Sequence, residues 1–66
     1  MEILSSKALE VLNYLVMGWS NKKIAEILCV TTDTVKAHIT SILRKFNVSN
    51  RTEAAYFAFK HGIILL

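Results

Sequence analysis

SNKKIAEILCVTTDTVKAHITSILRKFNVSNR, residues 20–51, decides the fold of this chain. Ser20 opens a helix that runs to about Leu28. Ile24, Ile27 and Leu28 form its expected buried face, with Ala25 small enough for close approach, while Lys22, Lys23 and Glu26 face outward. Thr31 or Thr32, with Thr31 preferred, caps a second helix that runs to about Phe46, and Asp33 in its first turn suits the positive end of the helix dipole. Val35, Ile39, Ile42 and Phe46 recur at helical spacing and make a core stripe, with Leu43 beside it. The opposite face is Asp33, Lys36, Ala37, Thr40 and Arg44, and Thr34, His38, Ser41 and Lys45 lie along one edge. Two helices joined by a very short turn, the second with a polar basic face, are the arrangement that places a helix in the major groove of DNA.

Outward from this stretch the pattern stays helical. Before it, Ser5 or Ser6 can cap a helix in which Ala8, Val11, Leu12 and Leu15 share a face, flanked by Leu9 and Val16; Gly18 is its natural stop. After it, Asn50 and Glu53 have the spacing of a capping box, and a fourth helix continues to about His61 before Gly62. Its Ala54–Phe59 segment is apolar nearly all round, so it is either fully buried or, as a four-helix domain of this size favours, has a second partner. Ala54, Phe57, Ala58 and His61 fall on the face assigned to the core. Proline is absent and glycine occurs only at positions 18 and 62, which suits an all-α, four-helix domain spanning residues 1–66.

The chain has 66 residues, too few for a hydrophobic core and a deep catalytic cleft together. Its apolar fraction is 53%, yet no stretch approaches the roughly 20 apolar residues needed to span a bilayer. Glu2 stands where a signal peptide carries positive charge, and the lone Cys29 fits a reducing compartment, so a cytoplasmic location is expected. By default Cys29 is a small hydrophobe, and Trp19 sits at the first turn, partly exposed. Within residues 20–51 six cations (Lys22, Lys23, Lys36, Arg44, Lys45 and Arg51) face two anions (Glu26 and Asp33); the remainder carries two cations against three anions. Positive charge concentrated in this way is the footprint of a polyanionic partner. His38 has only Cys29 and His61 as nearest co-ligands, with no metal-ligand spacing, so neither a metal nor another cofactor is expected, and no catalytic residue is assigned.

With these residues in place, the chain resembles the LuxR/FixJ-type helix-turn-helix domains of bacterial transcription regulators. The resemblance rests on collinear pieces: Leu4-Ser5, Glu10-Val11-Leu12, Gly18, Ser20-Asn21-Lys22, Ile24-Ala25, Thr34-Val35-Lys36, His38, Lys45, Val48, Arg51 and Ala54. The family usually has an acid at the position of Ala8, often Arg at that of Lys7 and often Glu at that of Lys23. Losing the last removes a capping box from helix two and adds positive charge near its start. Ala8 puts in doubt any polar contact that the family acid makes between helices.

The resemblance implies a sequence-specific DNA-binding domain whose recognition helix, about residues 32–46, lies in the major groove, with base-edge contacts at Lys36, Ala37 and Thr40. Lysine can donate to guanine, and Ala37 or a threonine methyl can pack on a thymine methyl. Phosphate contacts are expected from Lys22, Lys23, Thr34 and Lys45, from the exposed amides around Asn21, and from Arg44 one turn beyond Thr40. Asp33 either accepts from a cytosine or, as favoured here, compensates the helix dipole. His38 becomes a helix-edge residue near the DNA backbone or packed on a neighbouring helix, and His61 a helix-end cation or polar cap.

The resemblance further implies homodimerisation through helix four, by Thr52, Ala55, Tyr56 and Phe59, on an inverted DNA repeat. The apolar tail Ile63-Ile64-Leu65-Leu66 adds hydrophobic surface or covers the base of the domain. Family members usually carry a sensory or receiver domain ahead of this unit, so the chain reads as an excised fragment rather than a free-standing regulator; RNA polymerase is a further partner the resemblance allows. Two rivals remain. A sigma-factor region-four domain shares the Ile-Ala and Thr-Val-Lys pattern but does not account for the helix beginning at Asn50-Arg51-Thr52-Glu53-Ala54. A helical protein-interaction module needs no basic face.

Overall fold

The computed structural model describes residues 4–63. Four helices follow in order: α1 (Ser6–Val16), α2 (Asn21–Leu28), α3 (Thr32–Phe46) and α4 (Arg51–Lys60). α3 packs against all three others, α4 also touches α1, and α2 leans mainly on α3. The all-α, four-helix reading holds, with helix bounds within a residue or so of those expected.

Each helix opens and closes by the same device. Ser5, Ser20, Thr31 and Asn50 are the N-caps; their side-chain oxygens accept from the amides of Ala8, Lys23, Thr34 and Glu53 at 3.1, 3.1, 3.1 and 2.9 Å. Each thereby satisfies one of the orphan donors of a first turn. At the other end, Gly18, Cys29, Asn47 and Gly62 all have positive φ. The amide after each then reaches back across the last turn: Trp19 to Tyr14, Val30 to Ala25, Val48 to Leu43 and Ile63 to Ala58, at 2.9–3.1 Å. This is the Schellman closure, in which an apolar residue follows the left-handed position and folds back on the helix. At the first closure the Trp19 ring stacks on Tyr14 with centroids 4.7 Å apart.

The core is Leu4, Ala8, Val11, Leu12 and Leu15 with Ile24 and Ala25, then Val35, Ile39, Ile42 and Phe46, then Ala54 and Ala58. No polar or charged residue among those described is buried. Ala8 is part of this apolar set, so the position of the family acid is filled by packing, not by a polar contact. Phe57 stacks on Phe46 at 4.4 Å and carries α4 onto the end of α3.

Four expectations need correction. Ile27 is 48% exposed. On a helix turning about 100° per residue, positions 24, 25 and 28 share one arc and position 27 falls about 100° from its middle. His61 is exposed, not buried: the helix has ended there, and the ring leans against Phe57 at 4.2 Å. The capping box at α4 is half formed, since the Glu53 carboxylate accepts from the Ser49 amide at 2.7 Å instead of that of Asn50. Cys29 is exposed in a left-handed conformation, so it does not serve as a packed hydrophobe. Ile63 packs half-buried against the core, and the rest of the expected apolar tail lies outside the described residues.

Candidate nucleic-acid interface

α2 and α3 are joined by only Cys29, Val30 and Thr31, the short connection of a helix-turn-helix. The left-handed Cys29 reverses the chain and Thr31 restarts it, so the turn is fixed at both ends by hydrogen bonds. α3 has 15 residues and is therefore about 22 Å long. It buries Val35, Ile39, Ile42 and Phe46 and leaves Lys36, Ala37, Thr40, Arg44 and Lys45 exposed. Lys36 and Thr40 are one turn apart on the outer face. Among the described residues the only salt bridge joins Lys7 to Glu10, at 3.5 Å on α1. The outer cations of α3 thus have no carboxylate partner among those residues and stay available to an external anion.

Around this face stand the other expected contacts. Lys22 and Lys23 are exposed in the first turn of α2, and Asn21 is half-buried at its start. The Lys23 ammonium lies 5.6 Å from the centre of the Trp19 ring, a cation–π contact that uses the residue standing where the family often has Glu. Thr34 is exposed, but its hydroxyl is 3.0 Å from that of Thr31 within the cap of α3. It has a proton to offer outward only when Thr31 is the donor of that pair. His38 is half-buried on the edge of α3, as a helix-edge residue should be. The described residues hold no group of three or more His, Cys, Asp or Glu suited to a metal. None of their helices is long and apolar enough to cross a membrane.

Arg51 is one of the six cations of residues 20–51. It was counted with the cations facing a polyanion, yet its guanidinium is turned inward. Nη1 donates to Oδ1 of Asn21, and Nη2 donates to the carbonyl oxygen of Trp19 at 2.8 Å. Two donors from the first residue of α4 thus hold the α1–α2 turn and the start of α2. Only the breadth of the interval between residues 21 and 51 hid this pairing; no local spacing announces it.

The outer side of α4 is different in character. Tyr56 is 67% and Phe59 56% exposed; Thr52 is exposed and Ala55 half-buried. Beside them a shallow depression is lined by Val48, Thr52, Glu53, Tyr56, Phe57, Lys60 and His61. The four residues expected at a dimer contact therefore all reach the surface to some degree, with the two aromatics standing out most.

This geometry is that of a helix-turn-helix DNA-binding domain. The sequence matches the luxR family of bacterial regulatory proteins over residues 2–58, and the chain belongs to that family. It is 40% identical over 63 residues to the response regulator protein VraR of Staphylococcus aureus, and equally to the proteins of that name from Staphylococcus epidermidis and Staphylococcus saprophyticus. Each match covers 96% of this chain but only 30% of the relative, so the chain spans about a third of the length of these proteins. Among solved structures, the transcription factor GerE superposes with a TM-score of 0.86 at 29% identity, covering 94% of this chain and 92% of that one. A regulator's DNA-binding domain, not an enzyme, is what fold and family define, and the sigma-factor reading falls away.

Proposed function

We propose that residues 1–66 form the DNA-reading unit of a cytoplasmic response regulator, with α3 in the major groove. Lys36, Ala37 and Thr40 read base edges. The amides around Asn21, with Lys22, Lys23, Thr34, His38, Arg44 and Lys45, meet phosphates, while Asp33 compensates the helix dipole. The observation that carries this reading is the division of α3: one face wholly committed to the core, the other exposing Lys36, Arg44 and Lys45 with no carboxylate partner among the described residues. Phosphate neutralisation by such cations supplies affinity, and the base-edge residues between them supply choice of sequence.

Two copies pair through Thr52, Ala55, Tyr56 and Phe59, which sets two α3 helices about one DNA turn apart on an inverted repeat. A sensory or receiver domain precedes this unit in the whole protein, and RNA polymerase is the partner through which bound protein acts on transcription. The length of the staphylococcal relatives, of which this chain matches 30%, supports a longer whole.

Selection from a random duplex pool across a salt series tests the reading. Salt-sensitive binding that enriches an inverted repeat is expected. Salt-sensitive binding without an enriched motif removes the base-reading roles, and absence of binding at low salt removes the DNA-binding role altogether, leaving the protein-interaction module.

A further inference from the structure

Arg51 is a cation in the most basic part of the sequence, yet both ends of its guanidinium are committed inside the protein. One commitment has a consequence for Asn21. A carboxamide has one oxygen and one NH2 group, and the guanidinium can only donate. Because Oδ1 of Asn21 accepts from Arg51, the amide cannot flip to present its oxygen outward, and Nδ2 has no acceptor among the described residues. Asn21 therefore offers a donor beside the free amides of the first turn of α2, where an anionic oxygen is favoured. The second commitment, to the carbonyl of Trp19, holds the chain leading into Ser20, the cap that starts α2.

We infer that Arg51 is a positioning residue for DNA binding: it acts through Asn21 and the α1–α2 turn, without touching a phosphate itself. This rests on the DNA-binding reading above. It also links α4 to the start of α2.

The test uses the full 66-residue chain and a short duplex, with affinity measured from low to moderate salt after circular dichroism has established that each variant is folded. Arg51→Met is expected to weaken binding by about tenfold, the scale of a lost hydrogen bond to a charged group. The slope of log affinity against log salt stays that of the wild type, because no phosphate-neutralising charge has gone. Asn21→Ala gives a similar loss, and the double variant is no weaker than either single one. A slope lowered by about 0.9 in Arg51→Met makes Arg51 a direct phosphate ligand and overturns the inference. Wild-type affinity in folded Arg51→Met reduces it to a structural staple and also overturns it. Should Arg51→Met fail to fold, Asn21→Ala, which keeps the bond to Trp19, decides: wild-type affinity there overturns the inference. A wild-type chain that binds no duplex at any salt defeats the DNA-binding reading itself, an outcome distinct from the others.

Discussion

α3, with 15 residues, and α4, with 10, each carry six apolar side chains but spend them in opposite ways. α3 buries its large side chains, Val35, Ile39, Ile42 and Phe46, and shows water its charges. α4 buries its small ones, Ala54 and Ala58, and shows water Tyr56 and Phe59. A helix that hides alanines sits close to its neighbours and gains little by transfer from water, since that gain scales with the apolar area removed. α3 therefore supplies the stability and presents an electrostatic surface, whereas α4 contributes less to the core and presents an apolar one. The first surface suits a polyanion and the second a protein.

That contrast can be broken or sharpened, beginning with the largest effect. Ile42→Ala empties a fully buried site in α3, and about 2–5 kcal/mol should be lost. For 66 residues the whole stability is roughly 3–10 kcal/mol, so a melt followed by circular dichroism should show this variant largely unfolded or close to it. Phe59→Glu on α4 should leave the melt nearly unchanged but lower affinity for an inverted repeat about a hundredfold, with half-site affinity preserved, as expected when two linked sites become independent. Equal loss on both targets would remove Phe59 from the dimer contact. Lys36→Ala is expected to weaken binding to a selected site by ~1–3 kcal/mol with no change in melting; equal affinities of variant and wild type would end its role as a base reader. Asn50→Ala removes the cap of α4 and should lower stability by about 0.5–2 kcal/mol. Smallest, Cys29→Gly should raise stability by up to about 1 kcal/mol by relieving the left-handed backbone, while Asn47→Gly gains less because asparagine tolerates that conformation.

The helices were legible because their signals are local. Ser5, Ser20, Thr31 and Asn50 each stand immediately before an apolar repeat of helical period, and all four proved to be caps. The core stripe of α3 was legible for the same reason. The closures were legible only where glycine marked them, at positions 18 and 62; Cys29 and Asn47 take the same backbone conformation without advertising it. The sign that does link all four is the apolar residue just after, Trp19, Val30, Val48 and Ile63. Ile27 was misplaced because the apolar residues of α2 span more than its short buried arc. The inward turn of Arg51 was not legible because charge counting ignores direction, and its partners lie some thirty positions away in sequence. Within the interface, sequence located the exposed cations and Thr40. It did not reveal that Thr34 is tied to Thr31 or that Lys23 lies over Trp19.

Cys29 carries a last consequence. It is the only cysteine of the chain and it is exposed, in the turn ahead of α3. In air its thiol and that of a second molecule can join as a disulfide, their two electrons and two protons passing to dissolved oxygen, because the exposed sulfur is within reach of another. Two chains joined this way would run as a covalent dimer and mimic, in any sizing experiment, the pairing assigned to α4. A reducing agent, or serine at position 29, separates the two: the sulfur-linked species disappears, whereas the association proposed through Tyr56 and Phe59 is expected to remain.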